Sequence, residues 1–214
     1  MAGVKRRVAV LISGRGSNME ALIRAATDPA FPAEIALVLS NRPDAAGLAT
    51  ARHAGIAAEA IDHRPFGRDR AAHEAAIDAV LRAAAIDIVC LAGYMRLLTP
   101  FLVGAWRGRM LNIHPSLLPS FPGLHTHARA LAAGVKIHGC SVHLVTEDMD
   151  AGPILGQAAV PVLSGDTEDD LASRILRQEH VLYPAALAAF AAGQPAGVPD
   201  GSACLVNPLP LVRD

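Results

Sequence analysis

The chain has 214 residues and a formal net charge of −1, with 52% hydrophobic and 18% charged residues. This composition excludes an intrinsically disordered protein, and the balanced charge argues against a dedicated nucleic-acid or membrane-surface protein. The length favours a single domain spanning 1–214. Three scattered cysteines indicate neither a disulfide framework nor a zinc site, and we find no signal peptide or membrane-spanning apolar stretch. We therefore expect a cytoplasmic protein.

Short apolar runs alternate with helical patterns in the first half of the chain. The predicted strands cover 7–12, 35–39, 56–61, 86–91 and 110–113, and the predicted helices between them cover 18–26, 43–54 and 67–84. This alternation is typical of βαβ units and a parallel sheet. Because the strands are almost continuously hydrophobic, we expect helices on both faces of the sheet.

The pattern changes after residue 134. Two strand-like runs, 135–145 and 154–162, are joined by a loop too short for a helical crossover, which predicts an antiparallel pair. Thr167, followed by Asp170, resembles a capping box and predicts a helix that ends near Phe190. The fold expected is therefore α/β, with an open, mostly parallel sheet of about seven strands and antiparallel strands in the C-terminal part. The tail, 194–214, gives no structural signal.

The turn after the first strand is a candidate anion site. Gly16, Ser17 and Asn18 stand just before the predicted helix, where backbone N–H groups favour an anion. The third glycine of the dinucleotide fingerprint and the Gly-Lys-Ser/Thr ending are both missing, so neither NAD nor a nucleoside triphosphate is expected. The pattern fits a phosphate site or a tight turn with a helix cap.

A second candidate site lies at the end of the fifth strand. Asn112 and His114 are two residues apart, so on a strand their side chains share a face, and Pro115 ends that strand. An amide beside an imidazole can stabilise an oxyanion, although a structural histidine would show the same spacing. Asp150 is either a turn residue or a carboxylate that raises the pKa of His114 above its usual value of about 6.5.

The other histidines in this half of the chain raise the question of a metal site. They are His125, His127, His138 and His143. None forms the paired spacing of a zinc protease, and no cysteine joins them. We therefore expect His125 and His127 to be loop residues and predict no metal.

Six segments, in this order, resemble the phosphoribosylglycinamide formyltransferase family, the folate-dependent enzymes of purine biosynthesis. They are LISGRGSN at 11–18, LAGYMRLL at 91–98, LNIHPSLLP at 111–119, PGLHTH at 122–127, HGCSVH at 138–143 and MDAGPI at 149–154. The resemblance covers about 5–190. The HPSLLP core is shared by formyltransferases in general, whereas GSN and PGLHTH are more specific.

The resemblance implies a site for each of two substrates. Glycinamide ribonucleotide would bind at Gly16, Ser17, Asn18 and Glu179. The formyl donor, 10-formyltetrahydrofolate, would bind at Arg70, Met95, Arg96, Leu97 and Leu98, with a loop of Thr146, Glu147, Asp148 and Met149 closing on its pterin. The match at Arg70 needs a one-residue shift, so Arg68 is the alternative.

The resemblance also implies the chemistry. The substrate amine would attack the formyl carbon, Asn112 and His114 would stabilise the oxyanion, and Asp150 would keep His114 protonated. No metal or nucleoside triphosphate is needed, because the formyl donor is already activated. The partners expected are these small molecules alone, with neither nucleic acid nor membrane, and the protein would be a monomer or a homodimer.

Three positions depart from the family pattern, and three other functions compete. Arg15 replaces an asparagine, His73 a tyrosine, and Ala151 a glycine whose loss would restrict the backbone. Formyltetrahydrofolate deformylase normally has an additional N-terminal domain, and methionyl-tRNA formyltransferase has an additional C-terminal one. A non-catalytic folate- or nucleotide-binding module would not need Asn112, His114 and Asp150 together.

Overall fold

The computed structural model describes residues 4–193 and the short strand at 204–205. The chain consists of two compact units, Met1–Asn112 and Ile113–Asp214, which we describe in turn. None of the helices in these ranges is long and apolar enough to cross a membrane.

The first unit alternates strands and helices. Its elements are β1 Arg6–Ile12, α1 Ser17–Ala26, β2 Ala33–Ser40, α2 Ala46–His53, β3 Ala57–Ala60, a 3₁₀ helix Arg64–Phe66, α3 Arg70–Ala83, β4 Ile88–Leu91, α4 Pro100–Ala105 and β5 Met110–His114, which ends just beyond the boundary. The strands are parallel, in the order β3-β2-β1-β4-β5. The direction of winding therefore reverses between β1 and β4, and ligands bind open α/β sheets at such a switch point.

Burial explains why β1 is the central strand of this unit. All five residues of 8–12 are apolar and fully buried. A strand that alternated apolar and polar side chains would place a polar row against one layer of helices. Because helices pack on both faces of the sheet, every side chain of this part of β1 must be apolar.

The second unit contains the antiparallel pair. Its elements are α5 Thr126–Ala132, β6 Ile137–Leu144, β7 Ile154–Pro161, α6 Glu168–Ala191 and β8 Cys204–Leu205. Strand β6 runs antiparallel to β7, and β8 runs parallel to β7. The capping box at the start of α6 is present: Asp170 Oδ2 accepts from the Thr167 N–H at 2.9 Å, and the Thr167 hydroxyl accepts from the Asp170 N–H at 3.2 Å.

The predicted fold class is confirmed, including the parallel sheet and the antiparallel C-terminal strands. Cys90 and Cys140 are buried thiols. The expectation that His127 is a loop residue is wrong, because it lies in α5, and His125 is the residue that caps this helix. Apart from β8, the predicted tail lies outside the described residues.

A glycine allows β6 and β7 to approach each other. A Cβ added at Gly139 would overlap the carbonyl oxygen of Ala158 and lie 2.9 Å from Leu117 Cδ2. Any side chain there would force the two strands apart. Gly104 is a suitable comparison, because nothing lies within 4 Å of its added Cβ.

We expect Gly139→Ala to lower the free energy of unfolding by about 1–3 kcal/mol, as overpacking does. Gly104→Ala, in helix α4, should instead be neutral or stabilising by up to about 1 kcal/mol. Urea denaturation followed by circular dichroism measures both. Equal stability of the two variants would contradict the role assigned to Gly139.

Candidate active site

A cavity of about 520 Å³ opens in the first unit where β1 and β4 end. It is lined by the turn at 13–18, by 41–42, by His63 and by residues of 92–96. Three of its lining side chains are guanidinium groups, those of Arg15, Arg42 and Arg96. Positive charge near the N-terminus of a helix favours the binding of an anionic ligand.

The backbone of the turn is held by direct packing of α2. Gly16 has a φ of 78°, the left-handed region that glycine adopts freely, and α1 begins at the next residue. The Gly47 N–H donates to the Gly14 carbonyl at 3.1 Å. A Cβ on Gly47 would lie 2.5 Å from Ile12 Cδ1 and 2.9 Å from the Arg15 carbonyl. Gly47, which the sequence analysis missed, therefore sets the position of the turn.

The segment 95–98 presents apolar side chains to solvent. Met95 is 72% and Leu97 59% exposed, unusual values for large hydrophobic residues. Arg70 Nη1 lies 3.5 Å from the Leu97 carbonyl oxygen. At the far end, the buried carboxylate of Glu74 accepts from the Thr99 N–H at 2.8 Å. The segment is thus anchored on both sides while its apolar side chains stay accessible.

In the second unit, the structure brings His114 and Asp150 together. His114 Nδ1 lies 3.5 Å from Asp150 Oδ2, and the two side chains are 8% and 10% exposed. On the other side of the ring, His114 Nε2 lies 3.1 Å from the Phe121 carbonyl oxygen. Because carboxylates and carbonyls only accept hydrogen bonds, both ring nitrogens face acceptors. A proton on each nitrogen would let both of them donate. Asn112 precedes His114 by two residues on β5.

A second imidazole, which the sequence analysis considered only as a metal ligand, also reaches Asp150. His143 Nε2 lies 3.7 Å from Asp150 Oδ1, and His143 Nδ1 lies 2.9 Å from the Leu144 carbonyl oxygen. Burial lowers the pKa of His143, the Leu144 carbonyl and Asp150 raise it, and the nearby His114 lowers it by a smaller amount. The carboxylate therefore has an imidazole beside each of its two oxygens, His143 at Oδ1 and His114 at Oδ2.

The loop that carries Asp150 is shaped by close backbone contacts. Asp150 itself has a φ of 54°, whereas Ala151 does not, so Ala151 does not restrict the loop in the way expected from the missing glycine. Gly152 packs so closely on Leu144 that an added Cβ would overlap the Leu144 carbonyl oxygen. The Gly123 N–H donates to Asp150 Oδ2 at 2.8 Å and ties a second loop to the same carboxylate.

The other predicted positions lie in different surroundings. Glu179 is buried in α6. Burial raises the pKa of the Cys140 thiol, and the charge of Glu179 raises it further. His73 is buried, with Nε2 2.8 Å from the Ile61 carbonyl, and burial lowers its pKa. Among residues 4–193 and 204–205, no group of three or more His, Cys, Asp or Glu residues is placed to hold a metal ion.

Comparison with known proteins gives consistent matches. The Formyl transferase family matches residues 6–187. The chain is 46% identical over 187 residues to the phosphoribosylglycinamide formyltransferase of Escherichia coli (strain K12), covering 87% of this chain and 88% of that protein. A crystal structure of phosphoribosylglycinamide formyltransferase from Brucella melitensis is 59% identical, with a TM-score of 0.84 over 91% of this chain and all 100% of that chain.

Several relatives are much longer than the chain. The trifunctional purine biosynthetic protein adenosine-3 of Homo sapiens is 50% identical over 203 residues, which cover 95% of this chain and 20% of that protein. The chain thus spans about a fifth of the length of this relative.

A buried histidine beside the site makes stability depend on pH. His138 is 1% exposed, its Nε2 has no hydrogen-bond partner among the described residues, and its ring meets those of Phe121 and His127 edge-on. Burial lowers its pKa to about 4, and His127 and His114 contribute in the same direction. Below the ordinary histidine pKa of about 6.5, the unfolded chain therefore binds a proton that the folded chain rejects.

We expect His138 to reduce the free energy of unfolding by up to about 3 kcal/mol as the pH falls from 6.5 to 4. Replacing His138 with Leu should flatten this part of the stability–pH profile, measured by urea denaturation at each pH. Ile137→Leu, at an exposed position next to His138 on β6, serves as the control and should keep the steep profile of the parent. A profile equally steep in both variants would contradict the assignment.

Proposed function

The chain belongs to the formyl transferase family, and we propose that it transfers the formyl group of 10-formyltetrahydrofolate to the amine of 5′-phosphoribosylglycinamide. The products are formylglycinamide ribonucleotide and tetrahydrofolate. The observation that carries the proposal is the buried pair of His114 and Asp150, 3.5 Å apart, on a chain similar over most of its length to the Escherichia coli enzyme. A protein that only bound ligands would gain nothing from burying such a pair.

The ribonucleotide phosphate binds, in this proposal, at Gly16, Ser17 and Asn18. The first N–H groups of a helix have no partner within the helix and point outward, so they can donate to phosphate oxygens. Arg15 and Arg42 in the same cavity add positive charge. Glu179 is assigned to the ribonucleotide as well, since its carboxylate could accept hydrogen bonds from amine or hydroxyl groups.

The folate binds against 95–98, with Arg70 at its acidic end. The exposed Met95 and Leu97 offer apolar surface to a flat pterin ring. Arg70 rather than Arg68 is favoured here, because its guanidinium lies beside the Leu97 carbonyl. The loop at 146–149 is proposed to close on the pterin, and its Met149 is exposed and apolar.

The chemistry follows from charge development. As the amine attacks the formyl carbon, negative charge grows on the formyl oxygen, and donors placed for that oxygen accelerate the reaction. His114 as imidazolium and the Asn112 amide supply those donors. Asp150 stabilises the imidazolium and receives the proton lost by the amine, directly or through water. As the formyl C=O re-forms, the carbon–nitrogen bond to the folate breaks, and the folate nitrogen takes up the proton that Asp150 received.

We propose further that the chain works as one formyltransferase domain over 1–214. The boundary between the two compact units falls within β5 rather than in a linker. The partners proposed are the two small-molecule substrates.

Formyl transfer can be tested with purified protein, glycinamide ribonucleotide and a 10-formyl folate. Deformylated folate, followed by absorbance, should appear only when the ribonucleotide is present. Folate release without the amine would instead identify a deformylase. Binding of both ligands, measured by calorimetry, without turnover would identify a binding module and overturn the proposal.

We expect His114→Ala to lower kcat by about 100- to 1000-fold, the usual effect of losing an oxyanion donor, with a much smaller change in KM. Asp150→Asn should also lower kcat, and the double variant should be little worse than His114→Ala alone, because the two groups act as a unit. Asp169→Asn, an exposed acid in the first turn of α6, is the control. A kcat of His114→Ala close to that of the parent would contradict the proposed role of His114 in stabilising the oxyanion.

A further inference from the structure

One buried side chain joins the two proposed substrate sites of the first unit. The Ser13 hydroxyl, which is 7% exposed, accepts from the Met95 N–H at 2.8 Å. Ser13 directly precedes the turn proposed to hold the ribonucleotide phosphate, and Met95 begins the segment proposed to hold the folate. The contact therefore links positions 82 residues apart in sequence.

The orientation of the Ser13 hydroxyl is determined by Asn41. Ser13 Oγ donates its proton to Asn41 Oδ1 at 2.6 Å, and Asn41 is itself buried. A hydroxyl has one proton to donate, so its lone pairs are left to face the Met95 N–H. The Asn41 backbone carbonyl lies 2.8 Å from His63 Nδ1, which holds the Asn41 residue in place.

The three groups also line the cavity described above. Ser13, Asn41 and Met95 all contribute to its wall, together with the phosphate turn. A ligand bound to the turn at 14–18 restrains Ser13, the residue just before it. Ser13 in turn restrains the Met95 amide through their hydrogen bond.

We propose that Ser13 is a positioning residue that couples the binding of the two substrates. This inference rests on the proposed function, because it takes the ribonucleotide and the folate as the two ligands. Binding of the first ligand stabilises the Ser13–Met95 connection, so the second ligand finds its segment held more firmly in place. By reciprocity, each ligand raises the affinity for the other by the same factor.

Calorimetry measures this factor directly. Glycinamide ribonucleotide is titrated into the parent protein alone and into protein saturated with a 5,8-dideazafolate that lacks the formyl group and cannot react. We expect the ribonucleotide to bind at least about fivefold more tightly in the second titration, the lower end of typical coupling factors. In Ser13→Ala, which removes the hydroxyl, the two affinities should agree within about twofold.

Two controls separate coupling from a general loss of structure. Ser13→Thr keeps the hydroxyl and should retain coupling, whereas Ser164→Ala, at an exposed serine in a loop, should behave like the parent. A purely structural role of Ser13 would weaken both ligands in Ser13→Ala and leave their coupling factor intact. That result would overturn the proposal, as would a parent protein that binds both ligands without coupling.

Hydrogen exchange provides a test that needs no substitution. In the parent protein, the ribonucleotide alone should slow exchange of the Met95 amide. Unchanged exchange at Met95 with the ribonucleotide bound would overturn the coupling. A parent that binds neither ligand would instead show that the proposed function itself is wrong.

Discussion

Removing a carboxylate from water requires donors and positive charge to replace the lost solvation, and Asp150 meets this requirement through three neighbours. Gly123 donates its N–H, His114 faces one oxygen, and His143 lies beside the other. Loss of any one neighbour would leave the buried charge less well compensated. The conformations of the loops around the site in the second unit are therefore dictated by what this carboxylate needs.

The loops around Asp150 contain residues in strained backbone conformations. Asp150 adopts a φ of 54°, a conformation that costs a residue with a Cβ about 1 kcal/mol or more. Phe121 and His125 in the neighbouring loop share this left-handed geometry. Such strain persists only where the surroundings hold it: the Gly123 N–H contacts the Asp150 carboxylate, and the His114 ring contacts the Phe121 carbonyl. Strained residues in both loops are thus held by contacts with the Asp150 carboxylate and the His114 ring.

The fold was largely predictable because its signals are local. The buried run at 8–12, the capping box of Thr167 and Asp170, and the short connection between β6 and β7 each depend on neighbouring residues only. Helices α4 and α5 were missed because six or seven residues carry too little periodicity to be recognised. The assignment of His127 to a loop failed for that reason.

The candidate site was predictable as residue types but not as contacts. Asn112, His114 and Asp150 were singled out from motifs, yet the approach of Asp150 to His114 is a non-local fact that only packing reveals. The approach of His143 to Asp150 and the hydrogen bond from the Gly123 N–H depend on loop geometry in the same way. Gly47 could not be recognised from the sequence, because it matters only through its lack of a Cβ. That lack lets α2 approach a turn that is distant in sequence.

The Phe121 carbonyl beside His114 Nε2 has a consequence for selectivity. In the proposed reaction, the proton on His114 Nε2 already has a neutral acceptor, so an uncharged formyl oxygen brings little advantage by replacing it. An oxygen that carries negative charge forms a stronger, charge-assisted hydrogen bond and displaces the carbonyl. In this proposal, His114 would bind the formyl oxygen weakly in the ground state and strongly in the transition state. Catalysis arises from this difference in affinity.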